Sequence, residues 1–137
     1  MRTFLVASIA VGLAVLGAGC GLFNGNSSTS PSSTTPTEIF TGTLLAQQAS
    51  LYTFTVTATG TVGVDLTSIG PTSVPVGLGL GTPSGTTCLL ASSNPTATAG
   101  STAQITVTEN PGMYCVEIYD TGKVIGSATF SITISHT

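Results

Sequence analysis

Charge is the scarcest property of this chain. Asp, Glu, Lys and Arg make up 5% of its 137 residues, against roughly 25% in ordinary soluble domains. Lys and Arg number 2, and Arg2 stands just before the N-terminal apolar stretch, so Lys123 is the only basic side chain beyond it. Nucleic-acid binding requires several cations to neutralise phosphates, and one lysine cannot supply them. The same shortage excludes electrostatic docking on anionic lipid. Tryptophan is absent, which removes the commonest aromatic platform for a glycan. Sustained 3.6-residue periodicity with helix caps is missing too, so nothing in the chain reads as an amphipathic helix.

Catalytic groups are equally sparse. The single histidine is His136, next to the last residue. Nucleophilic triads need a histidine held between nucleophile and carboxylate, and this position predicts a solvated tail residue instead. The acids Glu38, Asp65, Glu109, Glu117 and Asp120 are dispersed, whereas a glycosidase needs two that face each other. Glu117 and Asp120 come nearest, but Asp120 opens an Asp-Thr-Gly turn and is expected to shape it. Asp65 and Glu109 are expected on solvent faces or strand ends. The run Gly77-Leu78-Gly79-Leu80-Gly81 lacks the lysine and the strand–loop–helix setting of a phosphate-binding loop. Its expected role is to let a neighbouring strand or loop approach closely. The chain is therefore read as a non-enzyme without a metal or other cofactor.

What the chain does have begins at the N-terminus. Arg2 is followed by an apolar stretch from Phe4 to Leu16, then by Gly17-Ala18-Gly19 and Cys20. A short basic start, about a dozen apolar residues and small residues before a cleavage point form a secretory signal. A membrane-spanning helix needs roughly 20 apolar residues, and this segment is interrupted by Ser8, Gly12, Gly17 and Gly19 before turning polar at Asn24. A cysteine at the first mature position offers a thiol for a diacylglyceryl group. The stretch resembles the lipobox of bacterial lipoproteins, with Leu16 one position ahead of its most frequent place. That resemblance implies cleavage after residue 19 and lipidation of Cys20. An ordinary cleaved signal is the alternative, and it would leave Cys20 without lipid.

Cys20 taken by lipid leaves Cys88 and Cys115 as a pair. Export puts them where disulfides persist, and closing that loop stabilises the fold by about 3.5 kcal/mol in the chain-entropy model. The bridge is expected between neighbouring strands, or to a loop, on the face opposite Tyr114, Val116 and Ile118. Residues 20–37 carry Cys20 and then a run of Asn, Gly, Ser, Thr and Pro with almost nothing apolar. Such a segment cannot bury enough surface to offset its ordering entropy, so it reads as a flexible tether.

Residues 38–137 form one domain by size, and the pattern there is β. Tyr52-Phe54-Val56 alternate with threonines, and the same period of two returns at Val62-Val64-Leu66, Ile105-Val107, Tyr114-Val116-Ile118 and Phe130-Ile132-Ile134. Such alternation marks strands with one buried face. Turn signals at Thr59-Gly60, Gly70-Pro71, Pro83-Ser84-Gly85, Asn94-Pro95, Asn110-Pro111-Gly112 and Asp120-Thr121-Gly122 punctuate them. Seven or eight strands so spaced predict an all-β fold, a single antiparallel two-sheet β-sandwich.

Phe40-Thr41-Gly42-Thr43-Leu44, Tyr52-Thr53-Phe54-Thr55-Val56 and Gly112-Met113-Tyr114-Cys115-Val116-Glu117-Ile118-Tyr119-Asp120 resemble three strands of the bacterial pre-peptidase C-terminal domain, and Thr129–Ile134 fits its last strand. The resemblance covers roughly residues 38 to 137 and implies a jelly-roll-like sandwich that accompanies secreted enzymes and, in some members, helps to bind insoluble polymers. Two departures qualify the implication. No peptidase precedes the domain in this chain, so a role accessory to one on the same chain is not expected. The central stretch Ser73–Leu80 also lacks the family's aspartates, so no cation site is carried over.

The sequence thus predicts a non-catalytic, lipid-anchored extracytoplasmic module with binding or accessory roles at the cell envelope, partnered by an envelope protein or an extracellular polymer. Tyr119 is the candidate ligand contact, with packing against the second sheet or the disulfide as its alternative. A self-associating structural or adhesive surface subunit is the competing function, because sheet edges are normally guarded by lysines and only one is present. Gly21 after Cys20 is not the aspartate that favours inner-membrane retention, which points to the outer membrane or the cell surface.

Overall fold

The computed structural model describes residues 35–137. The signal segment, Cys20 and nearly all of the tether fall outside these residues. Eight strands follow in order: β1 (Thr37–Leu45), β2 (Ala49–Val56), β3 (Gly60–Gly70), β4 (Val76–Ser84), β5 (Thr87–Ala97), β6 (Ile105–Glu109), β7 (Gly112–Tyr119) and β8 (Ser127–Ser135). They form two four-stranded antiparallel sheets. Sheet A has the order β1-β8-β3-β6 and sheet B the order β2-β7-β4-β5. That interleaving is the eight-stranded jelly roll, and the expected two-sheet sandwich is what the chain forms.

The alternation in sequence sets the core. Val62, Val64 and Leu66 of β3, Val116 and Ile118 of β7, and Phe130, Ile132 and Ile134 of β8 are all buried between the sheets. Their neighbours on each strand are Thr and Ser for the most part, and these cover the outer faces. Burial of this apolar set, at about 25 cal/mol per Å², is the main force holding the sheets together. One side of the sandwich is closed by rings: Phe40 stacks on Tyr52 with centroids 4.8 Å apart, and Tyr52 meets Phe130 edge-on at 6.1 Å. Gly42 makes room for them, since a Cβ there would stand 2.5 Å from the Tyr52 hydroxyl.

Three elements differ from the sequence reading. Asn94-Pro95 is not a turn between strands but lies inside β5, where the pairing with β4 shifts between Val76 and Leu78. A bulge accommodates a proline, because it leaves one N–H out of the ladder. Pro83 is likewise the eighth residue of β4 rather than part of the turn, which is the short Gly85-Thr86 link with Gly85 at φ +60°. His136 is not a solvated tail residue. It is 5% exposed, its ring lies 5.3 Å from that of Phe54, and its Nε2 is 2.8 Å from Glu38 Oε1. Strand β8 carries it inward in phase with Ile132 and Ile134, so strand period outweighs nearness to the terminus.

Candidate functional site

The outer face of sheet B is built on glycine. In β4, Leu78 and Leu80 point into the core, so Gly77, Gly79 and Gly81 point outward, yet Val76–Gly81 is buried throughout. Each glycine is covered by a different neighbour. A Cβ on Gly77 would collide with the ring of Tyr119, one on Gly79 would meet Leu90 Cδ1 at 2.6 Å, and one on Gly81 would collide with the Leu89 carbonyl. The close strand approach expected of this run is made at Gly81, by the Leu89 backbone, whereas at Gly77 and Gly79 side chains fill the space.

The covering of Gly81 is what allows the disulfide. Cys88 lies on β5 and Cys115 on β7, with β4 between them. Strands one removed from each other stand about 9.5 Å apart in a flat sheet, but these Cα atoms are 5.9 Å apart. An extra residue in β5, where the register shifts between Leu80 and Gly81, folds the Leu89 backbone over Gly81 and brings Cys88 across. The bridge lies on the outer face, as expected, but it spans a strand instead of joining neighbouring ones. It is buried, with Cys88 9% and Cys115 0% exposed.

Tyr119 ends β7, opposite Ala49 of β2 and Gly77 of β4. Its ring occupies the space that a side chain on Gly77 would fill, packing on its own sheet and not on the second sheet or the disulfide, and it remains half-buried. Glu117 stands two residues before it on the same face, opposite Leu51 and Gly79. Met113, Leu89 and Leu90 are exposed beside the bridge. The face thus combines one aromatic ring, one carboxylate and an apolar rim on a stapled base.

Asp120 shapes a turn, as its position suggests. Its Oδ1 accepts the N–H groups of Gly122 and Lys123 at 2.8 Å and of Val124 at 3.0 Å, while Oδ2 accepts that of Gln47 at 2.9 Å. These bonds, Gln47 and Val124 first, lower its pKa to about 2, because each stabilises the charged form. The ordered loop walls a shallow pocket of ≈ 180 Å³ between Pro71, Val74, Lys123, Val124 and Ile125. Typical small-molecule sites hold roughly 300–1,000 Å³, so the pocket is small.

The remaining acids stand apart. Glu109 ends β6 beside Tyr114, whose hydroxyl donates to the Asn110 carbonyl at 2.9 Å, and burial followed by the Glu109 carboxylate raises the Tyr114 pKa. Asp65 lies on the outer face of sheet A, and its Oδ1 is shut off from solvent without a partner. Among the described residues, no three of His, Cys, Asp or Glu come together.

Two residues were not singled out as structural from the sequence. His136 is one. Gln104 is the other: its Oε1 accepts the Leu66 N–H at 2.7 Å and its Nε2 donates to the Thr98 carbonyl at 2.9 Å. It continues the edge of β3 past the end of β6 with a side chain, and no local pattern signals that. No family model matches the chain, and no curated protein matches it.

Proposed function

We propose that this chain is a non-catalytic, lipid-anchored envelope module that presents the outer face of sheet B to an extracellular polymer or an envelope protein. Its tether is residues 20–37 and its anchor is lipid on Cys20. The buried Cys88–Cys115 bridge is consistent with an extracytoplasmic location, where such bonds persist. The observation that carries the binding role is the Tyr119 ring laid on Gly77. A ring seated on backbone in this way is pre-organised for stacking and loses little entropy on binding, and Glu117 beside it can accept hydrogen bonds from hydroxyl groups. The resemblance of its strand motifs to pre-peptidase C-terminal domains, some of which help to bind insoluble polymers, is in keeping with the same role.

Co-sedimentation of the secreted Cys20→Ser protein with insoluble cell-wall and polysaccharide preparations tests this reading. Retention of the wild-type face, with at least a tenfold loss in Tyr119→Ala, is the expected result. Equal retention of the two proteins would remove Tyr119 from the site. A second reading, a self-associating surface subunit, is favoured by the outer face of sheet A, where Thr41, Thr43, Thr129, Ser131, Thr133 and Ser135 form an almost uncharged array.

A further inference from the structure

The four sheet edges are not equally guarded. Edge β5 contains Pro95 and two register shifts, and edge β6 has only five residues. Bulges, proline and shortness are the devices by which proteins prevent strands from pairing with strangers. Edge β1 has none of these three; its guards are one inward-facing charge, Glu38, and the Tyr52 hydroxyl and Gln48 N–H that bond to its Thr41 and Leu45 carbonyls. It pairs with β8 over nine consecutive positions, Thr37 to Leu45, without a shift.

The backbone groups on its free side can be assigned. Antiparallel strands direct N–H and C=O groups alternately to their two edges. Pro36 and Ala46 bond toward β8, through His136 N–H and the Gly126 carbonyl, whereas Thr41 and Leu45 offer their carbonyls to Tyr52 and Gln48 on the other side. The odd-numbered residues therefore face away from β8. Among the described residues, nothing pairs with the N–H groups of Ile39, Thr41 and Thr43. The side chains at these odd positions are uncharged, and Ile39 and Leu45 are 67% and 53% exposed. Edge β2 is as regular, but it carries no large apolar side chain exposed to that degree.

We propose that β1 is a homotypic interface, pairing antiparallel with β1 of a second copy about a two-fold axis at Thr41, whose carbonyl accepts the partner N–H on the lone pair that the Tyr52 hydroxyl, at 3.3 Å, leaves free. The odd set is self-complementary: Ile39 falls opposite Thr43 of the other copy, and Thr37 opposite Leu45. No like charges are opposed, and each exposed apolar side chain gains a cross-strand neighbour. The product is one continuous eight-stranded sheet with a Thr/Ser outer surface. One strand pair buries less than the roughly 1,600 Å² of a standard interface, so the dimer is weak in solution and is favoured where a membrane concentrates the copies. The proposal deepens the self-association reading and does not depend on the face around Tyr119.

The test is amide hydrogen exchange on the secreted Cys20→Ser protein at low and high concentration, with sedimentation in parallel. Phe40 and Gly42, bonded to β8, should be protected at both concentrations. Ile39, Thr41 and Thr43 should gain protection only at high concentration, together with a shift to dimer. Ile39→Lys, at an exposed position, should remain monomeric with an unchanged melting temperature, whereas Thr106→Lys on β6 should dimerise as wild type does. A monomer at every concentration would overturn the proposal and the self-association reading together. Assembly with protection on Leu51, Thr53 and Thr55 of β2, or assembly untouched by Ile39→Lys, would overturn the β1 interface while leaving self-association standing.

Discussion

Cys88 and Cys115 meet across an intervening strand, and Gly81 of that strand is the residue that lets them. Its missing side chain is the space through which the Leu89 backbone passes. Gly81→Ala should therefore force the β4–β5 hairpin outward and strain or open the bridge. Over-packing of this kind costs about 1–3 kcal/mol, and loss of the disulfide adds about 2–4 kcal/mol. Chemical denaturation with and without reductant checks this: the variant should lose most of the wild-type sensitivity to reductant. Full retention of that sensitivity would show that the crossing does not need the glycine.

Asp120 gives the fold an acid-dependent component. Its folded-state pKa is lowered from the ordinary carboxylate value to about 2. Its contribution is thus fully present above the higher value and is lost as pH falls through the lower one. Asp120→Asn should flatten the stability curve across that window and loosen the loop holding Lys123 and Val124. Thermal melts of both proteins between neutral and strongly acid pH test it, and parallel curves would contradict it.

The pair formed by His136 and Glu38 ties the last strand to the first. Removing Glu38 leaves a buried ring without its one partner, at a cost of about 1–3 kcal/mol. Glu38→Ala should therefore be more destabilising than Glu38→Gln, which keeps an acceptor. In His136→Phe the effect of Glu38→Ala should largely vanish. Additive effects in that double-mutant cycle would show that the contact is not coupled.

Gly77→Ala separates packing from binding. The added methyl must displace the Tyr119 ring, so tyrosine fluorescence and polymer retention should both change while the Cys88–Cys115 bridge stays closed. Retention equal to wild type would mean that the pose of the ring is irrelevant to binding.

The fold was legible because strand period two carries the core directly: Val62-Val64-Leu66 and Phe130-Ile132-Ile134 are buried as their alternation predicts. Gly77, Gly79 and Gly81 announced a close approach, but not which neighbours would make it, because Tyr119, Leu90 and Leu89 are brought there by strand order and bulges. The bulge holding Pro95 was read as a turn for the same reason, since local chemistry is alike in both. His136 shows the reverse case, in which the phase of β8 is written in the sequence yet its place near the terminus suggested solvent. Gln104 could not be read at all: its role depends on the length of β6 relative to β3.

Intact-mass analysis of the protein extracted from native membranes tests the lipid-anchored account most directly. The predicted species begins at Cys20, carries the mass of a diacylglyceryl group, and contains Cys88 and Cys115 as a disulfide, with Cys20→Ala released to the soluble fraction. A mass beginning at Met1, or an unmodified chain that remains with the membrane after Cys20→Ala, would contradict it.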